Sequence, residues 1–295
     1  MNMTSVLILG AYGFLGSVLS PYLAREGYVV LRQGRRASAE VSFNPLDDEA
    51  FRNLFRHSRF DVIINLIAAT DMDKCEMDCQ WAYQANTLVV ETLVHAINDL
   101  NIKPHLIQIS TDHVYNGPGP HKENIVSPNN VYAISKLAGE IAATNLEATI
   151  LRTNFLGQSC CEGRISLTDW IINSLGSGRN ITVFDDVLIS SLHLKTLCSA
   201  IELVIRKRYP GVYNLGCQDG GSKADLAFGL AKRLHFNESL MTIGCSRNAK
   251  FLAKRSLDMR MDSQKFEISF DFPLPTFESQ IDLTAQEYMN EKNTM

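Results

Sequence analysis

A tyrosine and a lysine stand four residues apart in "YAISK", Tyr132 and Lys136, inside the stretch "VYAISKLAGEIAATN". That stretch has the apolar spacing of a helix, and four residues put both side chains on one helix face. A phenol ordinarily titrates at about 10. A neighbouring ammonium favours the phenolate and is expected to bring that value toward the working range of an acid/base group. Upstream, the apolar run "HLIQIS" feeds directly into Thr111 and Asp112. A hydroxyl there can hold the same oxygen that the phenol protonates. Tyr132, Lys136 and Thr111 are therefore the candidate catalytic set, suited to polarising a carbonyl and giving its oxygen a proton while a carrier gives hydride. Read alone, Tyr-x-x-x-Lys is equally a piece of helix surface.

A carrier site is written near the N-terminus. In "SVLILGAYGFLGSVLS", glycines stand at 10, 13 and 16 between a short apolar strand and a helix. Gly10 permits a tight turn, Gly13 lets backbone amides approach a pyrophosphate, and Gly16 lets the helix pack close to the sheet. The helix N-terminus attracts the anion. Tyr12, Phe14 and Leu15 complete the turn as cofactor-binding candidates. The second strand ends "LRQGRR", with no acid for a ribose hydroxyl but with Arg32, Arg35 and Arg36. A guanidinium matches a phosphate by charge and fork geometry. NADP(H) is preferred on this ground, NAD(H) is the alternative, and a solvated basic loop is the plain reading.

These groups need a scaffold that brings them together. Apolar runs at 5–10, 28–33, 60–69, 103–110 and 148–154 alternate with helical patterns. Such alternation predicts an α/β fold, a doubly wound parallel Rossmann sheet with helices on both faces. Ligands in such sheets bind at the carboxyl ends of the strands, where Gly10, Ala68, Thr111 and Asn154 all fall. Residues 1–154 are read as the dinucleotide-binding domain. Residues 155–295 are read as mainly a smaller substrate-binding lobe, interrupted where about 190–216 returns to the sheet. Residues 79–100 carry Trp81, Ala85, Leu88, Val89, Thr92, Leu93, Ala96 and Ile97 on one helical stripe, either core or a homodimer face. The polar last ten residues are expected to fray.

Composition removes other classes. A net charge of −4 over 295 residues offers no footprint for nucleic acid. No apolar run is long enough to span a bilayer. The chain opens without a charged leader, so it reads as cytoplasmic. The seven cysteines form no Cys-x-x-Cys pair, which predicts reduced thiols and no zinc site. The adjacent Asp185 and Asp186 read as a solvated turn, and no metal is expected.

The stretch "STDHVYNGPGPHKENIVSPNNVYAISKLAGE" resembles the signature of the dTDP-4-dehydrorhamnose reductase family, within the extended short-chain dehydrogenases. The GxxGxxG spacing belongs to that superfamily. "NLIAATDMDKCE", "LRTNFLG" and "AKRSLDMRMDSQKFE" resemble further family segments, so the likeness runs from residue 6 to about 267. The resemblance implies reduction of the 4-keto group of a nucleotide-linked 6-deoxy sugar by a nicotinamide cofactor. It makes Tyr132 the proton donor, Lys136 its partner, and Thr111, Asp112, Asn154 and Phe155 substrate contacts. Ala68, Ala69 and Thr70 would line the cofactor, and Asn44 stands where an acid often meets adenine. Dehydratases of the superfamily carry a glutamate where this chain has His113, a position read as packing, with a proton relay as the alternative. A non-catalytic NADP-binding regulatory relative and a sugar-nucleotide epimerase stay open. One departure stands out. The family's loop before the last sheet helix is replaced by "DDVLISSLHL", residues 185–194.

Overall fold

Hydrophobic alternation along the first strand, β1 (Ser5–Leu9), sets up two cores. Val6 and Ile8 face one and Leu7 and Leu9 the other, the period of two that a strand imposes. The computed structural model describes residues 3–161 and 163–292. The remaining main strands are β2 (Val29–Gly34), β3 (Val41–Ser42), β4 (Val62–Asn65), β5 (His105–Thr111), β6 (Ala148–Thr153) and a seventh, Gly211–Leu215. Every pair is parallel, in the order Gly211–Leu215, β6, β5, β4, β1, β2, β3. The order reverses between β1 and β4, and a ligand crevice opens at such a switch point. The run "GVYNLG" thus re-enters the sheet beside β6.

The helices are α1 (Gly16–Arg25), α2 (Asp48–His57), α3 (Met72–Met77), α4 (Cys79–Tyr83), α5 (Val89–Asp99), α6 (Val131–Ala143), α7 (Leu167–Gly176), α8 (Leu194–Lys207), α9 (Lys223–Arg233), α10 (Gln264–Phe270) and α11 (Phe277–Lys292). Leu19 and Leu23 of α1 and Leu197 and Ile201 of α8 cover one sheet face. Phe51 and Phe55 of α2, Val90 and Leu93 of α5 and Ala142 of α6 cover the other. The second half of the predicted 79–100 stripe is therefore core, not a dimer face.

That stripe is not one helix. Between α4 and α5 the chain makes a π turn, Gln84–Leu88. The widened turn aims Asn86 and Thr87 inward, and both are buried. Such insertions recur at functional sites. The expected fraying of the last ten residues is corrected as far as residue 292. Tyr288 is buried, with its hydroxyl bonded to Thr168 Oγ1 at 3.1 Å and to Asp169. Residues 293–295 lie outside the described residues.

Beyond β6, α9 packs on α7 and α11, and Ile181–Phe184 pairs in parallel with Met241–Gly244. The divergent loop is stitched on both sides. Leu188–Ile189 pairs antiparallel with Gly221–Ser222, and Leu188 also bridges Asp258. No helix among the described residues is long and apolar enough to cross a membrane.

Candidate active site

A cavity of about 830 Å³ runs along the carboxyl ends of β1, β4, β5 and β6. At one end the glycine turn takes the predicted form. Gly10 has φ 75°, a region that suits glycine, and its N–H donates to Gln33 Oε1 at 3.2 Å. A Cβ on Gly16 would lie 2.6 Å from the Ala11 carbonyl oxygen, so the close approach of α1 requires glycine there. No side chain caps α1. Its first turn, with Tyr12, Gly13, Phe14 and Leu15, lines the cavity, an arrangement that fits a pyrophosphate. Ala68, Ala69, Thr70 and Asn44 line the same space.

Arg35 and Arg36 line it too, beside Gly34. Arg32 does not. It is bound to Glu40 at 2.6 Å and lies over the Tyr12 ring, 5.6 Å from its centre. The Glu40 carboxylate claims its charge.

At the other end Thr111, Asp112, Tyr132, Lys136, Asn154 and Phe155 all line the cavity. The Thr111 side chain lies close enough to the Tyr132 phenol to influence its titration. Asp112 is almost fully buried and accepts from Thr111 Oγ1 at 3.2 Å and from Asn154 Nδ2 at 2.8 Å. Asn154 Oδ1 in turn accepts from Ser191 Oγ at 2.9 Å. The divergent loop thus reaches the Thr111 hydroxyl through a chain of three hydrogen bonds.

The electrostatics differ from the sequence expectation. Burial pushes the Tyr132 phenol up to about 12, and the neighbouring Thr111 side chain pulls against it only in part. Burial likewise brings the Lys136 ammonium down to about 8. Lys136 Nζ donates to the Ile109 carbonyl at 2.7 Å, which ties the ammonium to β5. Four-residue spacing delivered both groups to one face, but desolvation is the largest influence on each. The phenol is held protonated, the form an acid needs.

Sequence reasoning missed several groups that fix this geometry. Asn86 accepts from Ala69 N–H at 2.8 Å and donates to Ser135 Oγ at 2.9 Å, and Thr87 Oγ1 donates to the Ser135 carbonyl at 2.8 Å. The π turn therefore clamps the post-β4 loop to α6 beside Tyr132. A polar pair within an apolar stripe was the available signal. Gly139 permits the approach, since a Cβ there would sit 2.1 Å from the Asn86 carbonyl oxygen. One turn beyond Lys136, Glu140 is buried and pairs with Arg152 of β6 at 2.7 Å. Glu140 also accepts from Ser110, and Arg152 donates to the Tyr115 hydroxyl at 2.9 Å.

His113 lines the cavity and stands edge-on to Tyr132, with ring centres 5.7 Å apart. Its Nδ1 is buried without a hydrogen-bond partner and burial holds the ring neutral, which argues against a relay. The expected solvated acid pair splits. Asp185 is exposed, whereas Asp186 accepts from Ser246 N–H at 2.9 Å and Cys245 Sγ at 3.0 Å.

Comparisons with known proteins agree with this geometry. The family model described as the RmlD substrate binding domain matches residues 3–290. The spore coat polysaccharide biosynthesis protein SpsK of Bacillus subtilis is 29% identical over 218 residues, covering 72% of this chain and 73% of that protein. The dTDP-4-dehydrorhamnose reductase of Salmonella typhimurium is 26% identical, covering 93% of this chain and 94% of that one. The crystal structure of dTDP-4-dehydrorhamnose reductase from Bacillus anthracis, in complex with NADP, superposes with a TM-score of 0.87 at 22% identity, covering 97% of this chain and 100% of that one. With nearly its whole length matched, the chain belongs to the RmlD substrate binding domain family.

Proposed function

We propose that this protein reduces the 4-keto group of a nucleotide-linked 4-keto-6-deoxy sugar with NADP(H), as a step in making a deoxysugar for a polysaccharide. One observation carries the reading. Thr111, Tyr132 and Lys136 line one end of a cavity whose other end is an uncapped helix N-terminus with Arg35 and Arg36. The relatives named for reductase activity and for polysaccharide synthesis support the substrate class.

The residues fit the cofactor. Tyr12, Gly13, Phe14 and Leu15 would hold its pyrophosphate. Arg35 and Arg36 would hold a 2′-phosphate, Asn44 would meet the adenine, and Ala68, Ala69 and Thr70 would pack along it. When bound, NADPH supplies the hydride. Tyr132 gives its hydroxyl proton to the oxygen of the reacting carbonyl. Thr111 holds that oxygen in line, with its own orientation fixed by Asp112. Lys136 supplies a positive field on the same helix face, which favours the phenolate once the proton has left. Phe155 packs against Phe14, with ring centres 5.4 Å apart, and forms an apolar wall beside the reacting carbon.

The lobe beyond residue 155 takes the sugar and nucleotide, residues 194–215 belonging structurally to the sheet. A cytoplasmic homodimer completes the reading. Its support is the exposure of Ile134 and Ile141, seven residues apart on one face of α6. The test is NADPH oxidation, followed by absorbance, across a panel of nucleotide-linked 4-keto-6-deoxyhexoses, with NADH in parallel. Oxidation that requires the sugar establishes the reaction. Well-folded, NADPH-binding protein that oxidises nothing across the panel overturns it.

A further inference from the structure

Lys223 is the first residue of α9 and lines the cavity close to Asp112 and His113. A cation in the first helical turn opposes the helix dipole. The turn is otherwise built for stability, since Ser222 and Asp225 form a reciprocal capping box. A locally unfavourable residue in a well-formed element is the mark of a site rather than of packing.

Nor is the ammonium spent on the protein. Among the described residues Lys223 Nζ makes no hydrogen bond and no ion pair, although Asp112 lies near enough for its charge to be felt. Both Asp112 oxygens are already taken by Thr111 and Asn154. Arg255 adds a second cation behind Lys223. One arm of its guanidinium is bound to Asp73 at 2.7 Å, while Nη1 is buried with no partner. His113 Nδ1, also without a partner, lies in the same cluster.

The divergent loop assembles this cluster. Lys223 N–H donates to the Val187 carbonyl at 3.0 Å, Ser222 pairs with Leu188, and Leu188 N–H donates to the Leu257 carbonyl at 2.6 Å. Residues 187–188 therefore draw the start of α9 and the segment carrying Arg255 toward the cavity together. The cofactor's phosphates are accounted for at the glycine turn and at Arg35 and Arg36. A cation directed into the other half needs a different anion.

We propose that Lys223 is the anion-binding residue of the substrate half of the cavity, holding a negatively charged group of the nucleotide sugar and so setting which sugars are accepted. The inference rests on the ketoreductase reading. Two sources supply such a group, the diphosphate that joins nucleoside to sugar or a carboxylate on the sugar itself.

The experiment compares wild type, Lys223→Met and Lys223→Arg. The methionine keeps most of the apolar stem, and the arginine keeps the charge. NADPH binding, read by fluorescence, must match wild type in each, which checks the fold. Three quantities are then measured. These are the calorimetric Kd for thymidine, uridine and guanosine diphosphates, and KM and kcat for neutral 4-keto-6-deoxy sugar nucleotides and for 4-keto sugar nucleotides that carry a carboxylate. Losing a charge-assisted bond weakens binding by about 10–100-fold.

If Lys223 holds the diphosphate, Lys223→Met weakens nucleoside diphosphate binding and raises KM by that factor. The kcat changes little, and Lys223→Arg recovers most of the loss. If it holds a sugar carboxylate, diphosphate binding is unchanged and only turnover of the acidic sugars is lost. Unchanged diphosphate binding together with unchanged KM on every sugar overturns the proposal. Wild-type inactivity on every sugar sinks the ketoreductase reading instead. Calorimetric Kd values for the nucleoside diphosphates and for the neutral and acidic sugar nucleotides then decide Lys223 separately, since binding that Lys223→Met leaves unchanged for every one of them overturns it.

Discussion

The cofactor end and the substrate end of the cavity are built in different ways. At the cofactor end, one continuous stretch supplies strand, turn and helix, and Gly10, Gly13 and Gly16 act within seven residues of each other. At the substrate end, Asp112, Asn154, Ser191, Lys223 and Arg255 come from five separate segments. A local device is set by backbone geometry that its own residues dictate. A distributed one exists only after the chain has folded, and each member depends on the others. Changes at the first end should alter one binding step, whereas changes at the second should propagate.

The largest expected effect tests whether the two ends are separable. Tyr132→Phe should lower kcat/KM by about 10²–10⁴-fold, the usual contribution of a positioned acid. NADPH binding should stay within a few-fold of wild type. Loss of both together would show that the ends are not independent. Next comes the ion pair beneath the catalytic helix. Glu140→Gln leaves Arg152 charged and buried, and should cost about 3–5 kcal/mol of stability in urea denaturation. A loss below about 1 kcal/mol, within the range of an exposed pair, would mean that water reaches the pair.

A smaller effect is confined to the cofactor end. Replacing Arg35 and Arg36 with alanine should weaken NADPH binding by about 10–100-fold. NADH binding should barely change, and equal losses for both cofactors would remove the phosphate assignment. Gly139→Ala should cost about 1–3 kcal/mol, because α6 must move off the π turn. The same change should lower kcat, since Tyr132 rides on that helix.

The last effect isolates one buried charge. The Lys136 ammonium falls from an ordinary 10.5 to about 8 in the folded protein. Between those values the unfolded chain binds more protons, so this group makes stability rise with pH across that window. Below the folded value its cost is fully present. Lys136→Met removes the term. The stability difference between wild type and variant should therefore move in favour of wild type as pH rises from 8 to 10.5. A difference that stays flat would mean the lysine is not desolvated.

Much of the sheet was readable because each strand is a short apolar run beside a turn, a pattern set by burial on both faces. That the glycine turn, Thr111, Tyr132 and Lys136 would meet at one cavity was readable for the same reason: their placement follows from spacing within one or two elements. The sequence also predicted that "GVYNLG" rejoins the sheet. It did not predict the π turn, because a helical stripe looks nearly the same with one extra residue in a turn. Arg32 looked like its neighbours until Glu40, eight residues on, took its charge.

What this sequence determined alone is the glycine turn, the tyrosine and lysine on one helix face and the parallel sheet that carries both. Each is written in contiguous residues whose backbone preferences and apolar period leave few alternatives. Tertiary structure decided the rest. It raised the Tyr132 phenol above its ordinary value, because burial is a property of the whole fold. It joined Asn86 to Ala69 and Ser135, and Ser191 to Asn154. It also placed an unremarkable lysine at the start of α9 on the cavity lining, because the loop before it is held by strand pairing on both sides.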